Sequence, residues 1–128
     1  MSMSGYRCFA CPAVQTQDFE GFLCPVCGGN LDITYDYDEA LTSIDKSFSN
    51  GSGDLFRFAA LLPIVQPRPR FPLHVGGTPL YPVRSLPETG RMSNLYLKDE
   101  TVNPSASLKD RASAVTIARA QDVGAEVV

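Results

Sequence analysis

Apolar and polar residues follow different patterns along the chain, and these patterns predict its first elements. Residues 6 to about 37 alternate short apolar pieces such as "GFLC" with turn residues such as "CPVCGGN", which predicts a small ribbon of two or three strands. The next segment is polar, and its glycines and serines around Asn50 to Gly53 indicate a flexible linker. "DLFRFAALLPI" then predicts a short helix, which Asp54 caps and Pro63 ends.

The last third of the chain is more regular than the proline-rich stretch before it. Prolines recur from Pro63 to Pro87 too often for a long element, although "TPLYPV" favours a short extended piece. "NLYLKDE" alternates apolar and polar residues, which predicts a strand. A helix is predicted to follow, with Ser107 as its N-cap and Asp110 completing a capping box. The apolar face of this helix would consist of Leu108, Ala112 and Val115.

The order of these last elements indicates the fold class. Gly124 would end the helix, and "AEVV" begins another apolar run that predicts a second strand. Strand, helix and strand in this order start a parallel α/β unit, and a parallel sheet needs further strands to bury both of its faces. We therefore predict an incomplete α/β fold that leaves an apolar strand edge and a helix face uncovered. The predicted parts are the ribbon at 1–37, the linker, short helix and proline-rich loop at 38–93, and the strand–helix–strand unit at 94–128.

Composition and charge argue against several classes of protein. The 128 residues are 44% hydrophobic, which is enough for one modest core. A net charge of −3 and a pI near 5.0 leave no broad basic field for nucleic acid or for an anionic membrane. No apolar run approaches the roughly 20 residues of a membrane span, and the first residues lack a charged and then apolar leader. We predict a cytoplasmic protein with no nucleic-acid partner and no membrane partner.

All four cysteines lie in the predicted ribbon, as two pairs. Cys8 and Cys11 are separated by twelve residues from Cys24 and Cys27, and two such C-x2-C knuckles can surround a tetrahedral Zn²⁺ with four thiolates. The alternative is four reduced structural thiols. A redox role fits less well, because redox pairs occur singly at a helix start. Four thiolates would add to the acidic charge of this segment, so we expect the zinc site to support the fold rather than to bind nucleic acid.

Lys109 is the candidate residue for covalent chemistry. It lies in the first turn of the predicted helix, where the helix dipole disfavours a second positive charge and favours the neutral, nucleophilic amine. Neutral amines form Schiff bases with carbonyl compounds. The alternative is an ordinary solvated lysine beside Asp110, and position alone does not decide between the two.

Three separated motifs resemble one family of enzymes. "LYLKDETVNPSASLKDRAS" resembles the lysine segment of pyridoxal-phosphate enzymes of the tryptophan-synthase-β-like fold, and within them of threonine synthases, whose pattern is N-P-T/S-G-S-F/L-K-D-R. "VGGTPLY" resembles the G-x-TPL loop of that family, and the cysteine segment resembles the zinc-ribbon extension of one group of threonine synthases. Three motifs in the right order are more specific than any one of them.

The resemblance implies a reaction and a role for Lys109. This lysine would bind pyridoxal 5′-phosphate covalently and then act as a general acid and base. Asn103, Pro104 and Ser105 would shape the turn that directs it. The substrate would be O-phospho-L-homoserine, which reacts with water to give L-threonine and phosphate. A full-length enzyme of this family would be a homo-oligomer with a structural Zn²⁺.

The sequence departs from the family pattern at two positions and in length. Ala106 stands where the family has glycine, which adopts positive φ at no cost, and Leu108 replaces the more common phenylalanine. The family's S/T-x-G-N loop and phosphate cradle would lie beyond residue 128, so we expect an N-terminal segment of threonine synthase that is inactive alone. The alternative enzyme is a related lyase, such as a serine/threonine dehydratase or a cysteate synthase. The non-enzymatic alternative is a zinc-ribbon binding module.

Overall fold

The computed structural model describes residues 2–49, 53–65, 72–83 and 94–126 of the chain. Its first three strands are β1 (Met3–Cys8), β2 (Val14–Gln15) and β3 (Leu31–Tyr35). They form one antiparallel sheet with the order β2-β1-β3, in which Tyr6 pairs with Gln15 on one side and with Ile33 on the other. The predicted ribbon is therefore confirmed.

Helix α1 (Tyr37–Ser49) occupies a segment for which the sequence predicted a flexible linker. Asp36 begins this helix, because its carboxylate accepts a hydrogen bond from the Glu39 amide at 3.0 Å. Asp38 and Glu39 also place negative charge in the first turn, where the helix dipole favours it. The linker prediction is wrong for these residues, because the polar composition concealed a capping pattern. The predicted flexible stretch at 50–52 lies outside the described residues.

A first 3₁₀ helix (Leu55–Leu61) matches the predicted short helix. Asp54 lies at its N-cap position without a side-chain capping hydrogen bond, and Pro63 follows its end. The Leu55 amide donates a hydrogen bond to the Val75 carbonyl at 2.7 Å. Helix α1 packs against this 3₁₀ helix. The hydrogen bond therefore connects the two packed helices to the loop that contains Val75.

The C-terminal part contains a small sheet, a second 3₁₀ helix and a longer helix. These elements are β4 (Leu80–Pro82), β5 (Tyr96–Lys98), the second 3₁₀ helix (Glu100–Val102) and α2 (Asp110–Asp122). The predicted extended piece, strand and helix are present, but β4 and β5 pair antiparallel, and the described residues contain no parallel pair. Ala125 and Glu126 are not in a strand, and 127–128 lie outside the described residues. The chain thus shows a small mixed helix and strand fold, and the tryptophan-synthase-β-like fold stays a prediction.

The core of the C-terminal part is formed by small residues on α2. Ala114 and Ala118 lie four residues apart on one face of the helix, and both are buried. Ala114 joins Leu55 and Val75 in one apolar cluster, so α2 contacts both the first 3₁₀ helix and the loop that precedes β4. None of the described helices is long and apolar enough to cross a membrane.

The predicted apolar face of α2 is only partly correct. Val115 packs against the cluster, but Ala112 is exposed, and Leu108 precedes the helix and is 65% exposed. The cluster covers the face of α2 at Ala114, and the uncovered helix face expected from the sequence stays a prediction. Strands β4 and β5 carry exposed apolar side chains, and the uncovered strand edge expected within 94–128 stays a prediction. More than half of the surface is exposed at Leu80, Tyr81, Tyr96 and Leu97.

Candidate metal centre and lysine turn

The four predicted ligand residues meet at one point in the ribbon. Cys8 Sγ lies 3.5 Å from Cys27 Sγ, and Cys11 Sγ lies 3.7 Å from Cys24 Sγ. All four sulfur atoms lie within 4.8 Å of one another. A tetrahedral site with Zn–S bonds of about 2.3 Å has sulfur–sulfur edges of roughly 3.8 Å. The donor set and its spacing therefore fit a structural zinc ion.

The backbone of the two knuckles supports this arrangement of sulfur atoms. The Ala10 amide donates a hydrogen bond to Cys8 Sγ at 3.3 Å. This bond is the largest of several hydrogen bonds that together lower the pKa of the Cys8 thiol from 9.0 to about 7. The second knuckle turns at Gly28, whose φ is +71°. At Gly29 a Cβ atom would lie 3.2 Å from Cys8 Sγ and 2.9 Å from Ala10 Cβ. A side chain at this position would crowd the sulfur cluster, which explains the glycine.

Lys109 lies apart from the cysteines, at the start of α2. It occupies the N-cap position, and its carbonyl accepts a hydrogen bond from the Ser113 amide at 3.0 Å. Its side chain is exposed, and among the residues that the structure describes its amine has no hydrogen-bond or ion-pair partner. The amine of Lys98, in contrast, donates a hydrogen bond to the Thr78 carbonyl. Lys109 therefore offers an accessible primary amine, which is the group that a covalently bound aldehyde cofactor requires.

The capping box predicted for this helix is wrong. Lys109 has helical angles of φ −66° and ψ −20°, and its amide donates to Ser107 Oγ at 3.2 Å. The Asp110 carboxylate instead reaches back to Ser105, where it accepts from the amide at 2.7 Å and from the hydroxyl at 2.5 Å. The helix thus begins two residues later than a Ser107 cap requires. Asp110 closes the turn in front of Lys109 rather than capping the helix.

Ala106 adopts a left-handed backbone conformation at the position where the family pattern has glycine. Its φ is +56°, and it is the non-glycine residue with positive φ in the described part of the chain. The left-handed region costs a residue with a Cβ atom about 1–2 kcal/mol. The departure noted in the sequence therefore leaves the turn intact and introduces local strain.

Substituting Ala106 with glycine is expected to stabilise the protein. Release of about 1–2 kcal/mol of strain exceeds the extra freedom of the unfolded chain, worth about 0.4–1 kcal/mol, so the free energy of unfolding should rise by about 0.5–1 kcal/mol. Urea unfolding followed by circular dichroism measures the change. The matched control is Ala112→Gly on the exposed side of α2, which should lose about 1 kcal/mol. A loss of similar size in both variants would contradict the strain at Ala106.

Glu100 is the centre of a polar network that the sequence did not reveal. Its carboxylate accepts hydrogen bonds from Arg111 Nε at 2.7 Å and from Arg111 Nη2 at 2.8 Å. It also accepts from the Thr78 hydroxyl at 2.6 Å and from Asn103 Nδ2 at 2.9 Å. These donors, Arg111 first, lower the pKa of Glu100 from 4.5 to about 2. The residues share no periodic spacing, so no sequence pattern indicated that they would meet.

The geometry defines a class of protein: a cysteine ribbon arranged to bind a metal, followed by a turn that presents a lysine at a helix start. The chain is 34% identical over 95% of its length to a threonine synthase of Methanocaldococcus jannaschii. It is 33% identical over 95% of its length to a threonine synthase of Methanosarcina acetivorans, and 34% identical over 59% of its length to one from a Bacillus species. The resemblance that the motifs indicated is therefore confirmed, and the chain is a homologue of threonine synthases.

The chain spans less than a third of the length of these relatives. It covers 30% of the first, 29% of the second and 21% of the third. No family model matches the chain, and no solved structure matches it. The reaction, the cofactor and the partners of this chain are therefore matters of proposal.

Proposed function

We propose that this chain forms the N-terminal part of a threonine synthase, which converts O-phospho-L-homoserine and water to L-threonine and phosphate. The observation that carries the proposal is the identity of 34% with a threonine synthase over 95% of the chain, a span that includes Lys109. The exposed amine of Lys109 at the start of α2, which has no partner among the described residues, supports it. The relatives are threonine synthases by name, and the reaction type and substrate are those that the resemblance to this family implies.

In this proposal Lys109 has two tasks. Its amine binds pyridoxal 5′-phosphate covalently, and Nζ then accepts and returns a proton during the reaction. The bound cofactor supplies an electron sink for carbanion chemistry. The hydrogen bonds between Ser105 and Asp110 hold the turn that precedes the lysine, so the backbone that carries the amine is restrained before the cofactor binds.

The proposed metal is one structural Zn²⁺ on Cys8, Cys11, Cys24 and Cys27. The spacing of the sulfur atoms supports zinc, and metal binding would supply folding free energy to a ribbon with a small core. We place the ribbon at 1–37, the connecting segment at 38–93 and the start of the cofactor-binding part at 94–128. The full enzyme would be a cytoplasmic homo-oligomer that acts on a small molecule, with no nucleic-acid or membrane partner. Because the chain covers 30% of its first relative, we expect these residues alone to be inactive.

Reductive trapping of pyridoxal phosphate tests the role of Lys109. Incubation of the full protein with the cofactor, borohydride reduction and peptide mapping should locate the label on Lys109. The sequence contains two other lysines, Lys46 and Lys98, which serve as internal references. Lys109→Ala should remove the main label, whereas Lys46→Ala should leave it unchanged. A main label on any other lysine would remove Lys109 from the mechanism and with it the case for this enzyme.

A further inference from the structure

We propose that Glu100 and Arg111 form a positioning pair for Lys109, which closes the base of the segment 101–110 and fixes the point at which α2 begins. This inference rests on the proposed function, because it gives the pair a role toward a cofactor-binding lysine. Glu100 precedes the segment and Arg111 follows it, so their contact joins its two ends. Lys109 lies two residues before Arg111 on the same turn.

The contact between the two residues has the geometry of a strong ion pair. Two hydrogen bonds, at 2.7 Å and 2.8 Å, connect the carboxylate and the guanidinium group, and the side chains are only 20% and 30% exposed. The chain also contains a pair of the ordinary surface kind for comparison. Arg7 Nη2 lies 3.7 Å from Asp32 Oδ2, and the two side chains are 64% and 44% exposed. The Glu100–Arg111 pair therefore has a shorter contact distance than the Arg7–Asp32 pair, is joined by two hydrogen bonds, and is less exposed to water.

Two buried residues connect this pair to the loop that precedes β4. The Thr78 hydroxyl donates to Glu100 and accepts a hydrogen bond from Arg111 Nη2 at 3.2 Å. Asn103 donates to Glu100 and, through Oδ1, accepts from the Gly76 amide at 3.0 Å. Loss of the Glu100 carboxylate would leave buried donors on both residues without an acceptor. The Glu100 carboxylate thus holds the segment 101–110 against the loop that precedes β4.

The segment 101–110 has little else that fixes its position. Its residues are exposed or partly exposed except Asn103, and the apolar side chains of Val102 and Leu108 are more than half exposed. Apolar packing therefore does not anchor the segment. The bonds between Ser105 and Asp110 are internal to it and set its shape rather than its placement. Placement depends on the polar base that Glu100 and Arg111 form, together with the hydrogen bond from the Gly76 amide to Asn103.

The positioning role predicts a defined response to pH. The pKa of Glu100 is lowered from 4.5 to about 2 by the hydrogen bonds from Arg111, Thr78 and Asn103. A depressed pKa contributes stability that is complete above pH 4.5 and is lost as the pH falls through about 2. Amide hydrogen exchange, corrected for the intrinsic rate, should show protection of the Asn103 and Ser113 amides decreasing in this window. In Glu100→Gln the protection should be low already at pH 6 and should not change further between pH 4.5 and 2.

The decisive test measures Lys109 in variants of the pair, with pyridoxal phosphate itself as the probe. Glu100→Gln keeps the shape of the side chain and removes its charge, and Arg111→Lys keeps the charge and removes the double hydrogen bond. Each should lower reductive labelling of Lys109, relative to Lys46, about tenfold at the concentration that half-labels the parent protein, because misplacement of a reacting group costs large factors. Asp32→Asn breaks the exposed pair and should leave labelling unchanged. All measurements are made where circular dichroism shows the variants to be as folded as the parent.

Each outcome has a separate meaning for the two proposals. Parent-level labelling of Lys109 in folded Glu100→Gln would overturn the positioning role, even if that variant unfolds at a lower temperature. Absence of label on Lys109 in the parent protein would instead overturn the proposed function. In that case amide exchange still tests whether the pair holds the segment, and unchanged protection in Glu100→Gln would overturn that part as well.

Discussion

Replacing Cys24 with serine is expected to abolish metal binding and to unfold the ribbon. Cys24 is 3% exposed, and its sulfur lies 3.7 Å from that of Cys11. A hydroxyl is a poor ligand beside thiolates, and three remaining sulfur atoms do not close a tetrahedral site. The ribbon has few other buried side chains, and Cys8 is one of them. Because the metal supplies folding free energy to such a small core, its loss should release the whole sheet.

Metal analysis of protein purified without chelator measures this effect. The parent protein should carry close to one zinc ion per chain, and Cys24→Ser should carry almost none. Amide protection across β1 and β3 should disappear with the metal. Val26→Ser in the same knuckle is the matched control, since Val26 is 73% exposed and should tolerate a hydroxyl. A parent protein without zinc, cobalt or iron, in which all four thiols react freely, would overturn the metal site.

A methyl group at Gly77 is expected to separate two loops that now touch. The Cβ atom of Gly77→Ala would lie 1.8 Å from the carbonyl oxygen of Gly53, and the φ of Gly77 is +62°. The carbonyl oxygen belongs to the backbone, and the backbone also fixes the position of the Cβ atom, so relief requires the loops to move. This movement would disturb the nearby hydrogen bond between the Leu55 amide and the Val75 carbonyl. Overpacking and left-handed strain together should cost about 2–5 kcal/mol.

Gly124→Ala provides the matched control for this prediction. Gly124 has a similar φ of +69° just after α2, but a Cβ atom there would meet nothing within 4 Å. Its cost should therefore be the conformational part alone, about 1–2 kcal/mol. Urea unfolding curves of both variants measure the difference, which isolates the steric contact at Gly77. Equal losses in the two variants would show that the loops are not in contact.

The sequence predicted the parts of this protein in which function follows from local spacing. Two C-x2-C pairs indicated a metal site, and the four sulfur atoms lie together as that spacing requires. The glycine of the family motif has its counterpart in Ala106, which keeps the left-handed conformation. The order of three motifs indicated threonine synthases, and the relatives confirm this resemblance. Spacing within a few residues fixes which side chains can meet in one turn.

The sequence predicted two helix starts wrongly, because a specific hydrogen bond, rather than composition or spacing, decides where each helix begins. Helix α1 formed in a segment of polar composition, because Asp36 supplies a cap for its first turn. Helix α2 begins after Leu108, because the Asp110 carboxylate binds Ser105 instead of serving a Ser107 cap. In both cases a side chain has several possible hydrogen-bond partners at a similar distance along the chain, and the folded structure uses one of them. Sequence patterns do not rank such partners.

The sequence by itself determined the cysteine ribbon and the lysine motif and indicated the resemblance to threonine synthases, since each motif consists of residues that are near one another in the chain. Tertiary structure alone decided that Glu100 meets Arg111 and Thr78, residues that lie 11 and 22 positions away. It also decided that Ala114 packs against Leu55 and Val75. Contacts between distant segments depend on how whole elements pack. The residues next to a carboxylate or an alanine in the sequence therefore do not indicate which distant residue it will contact.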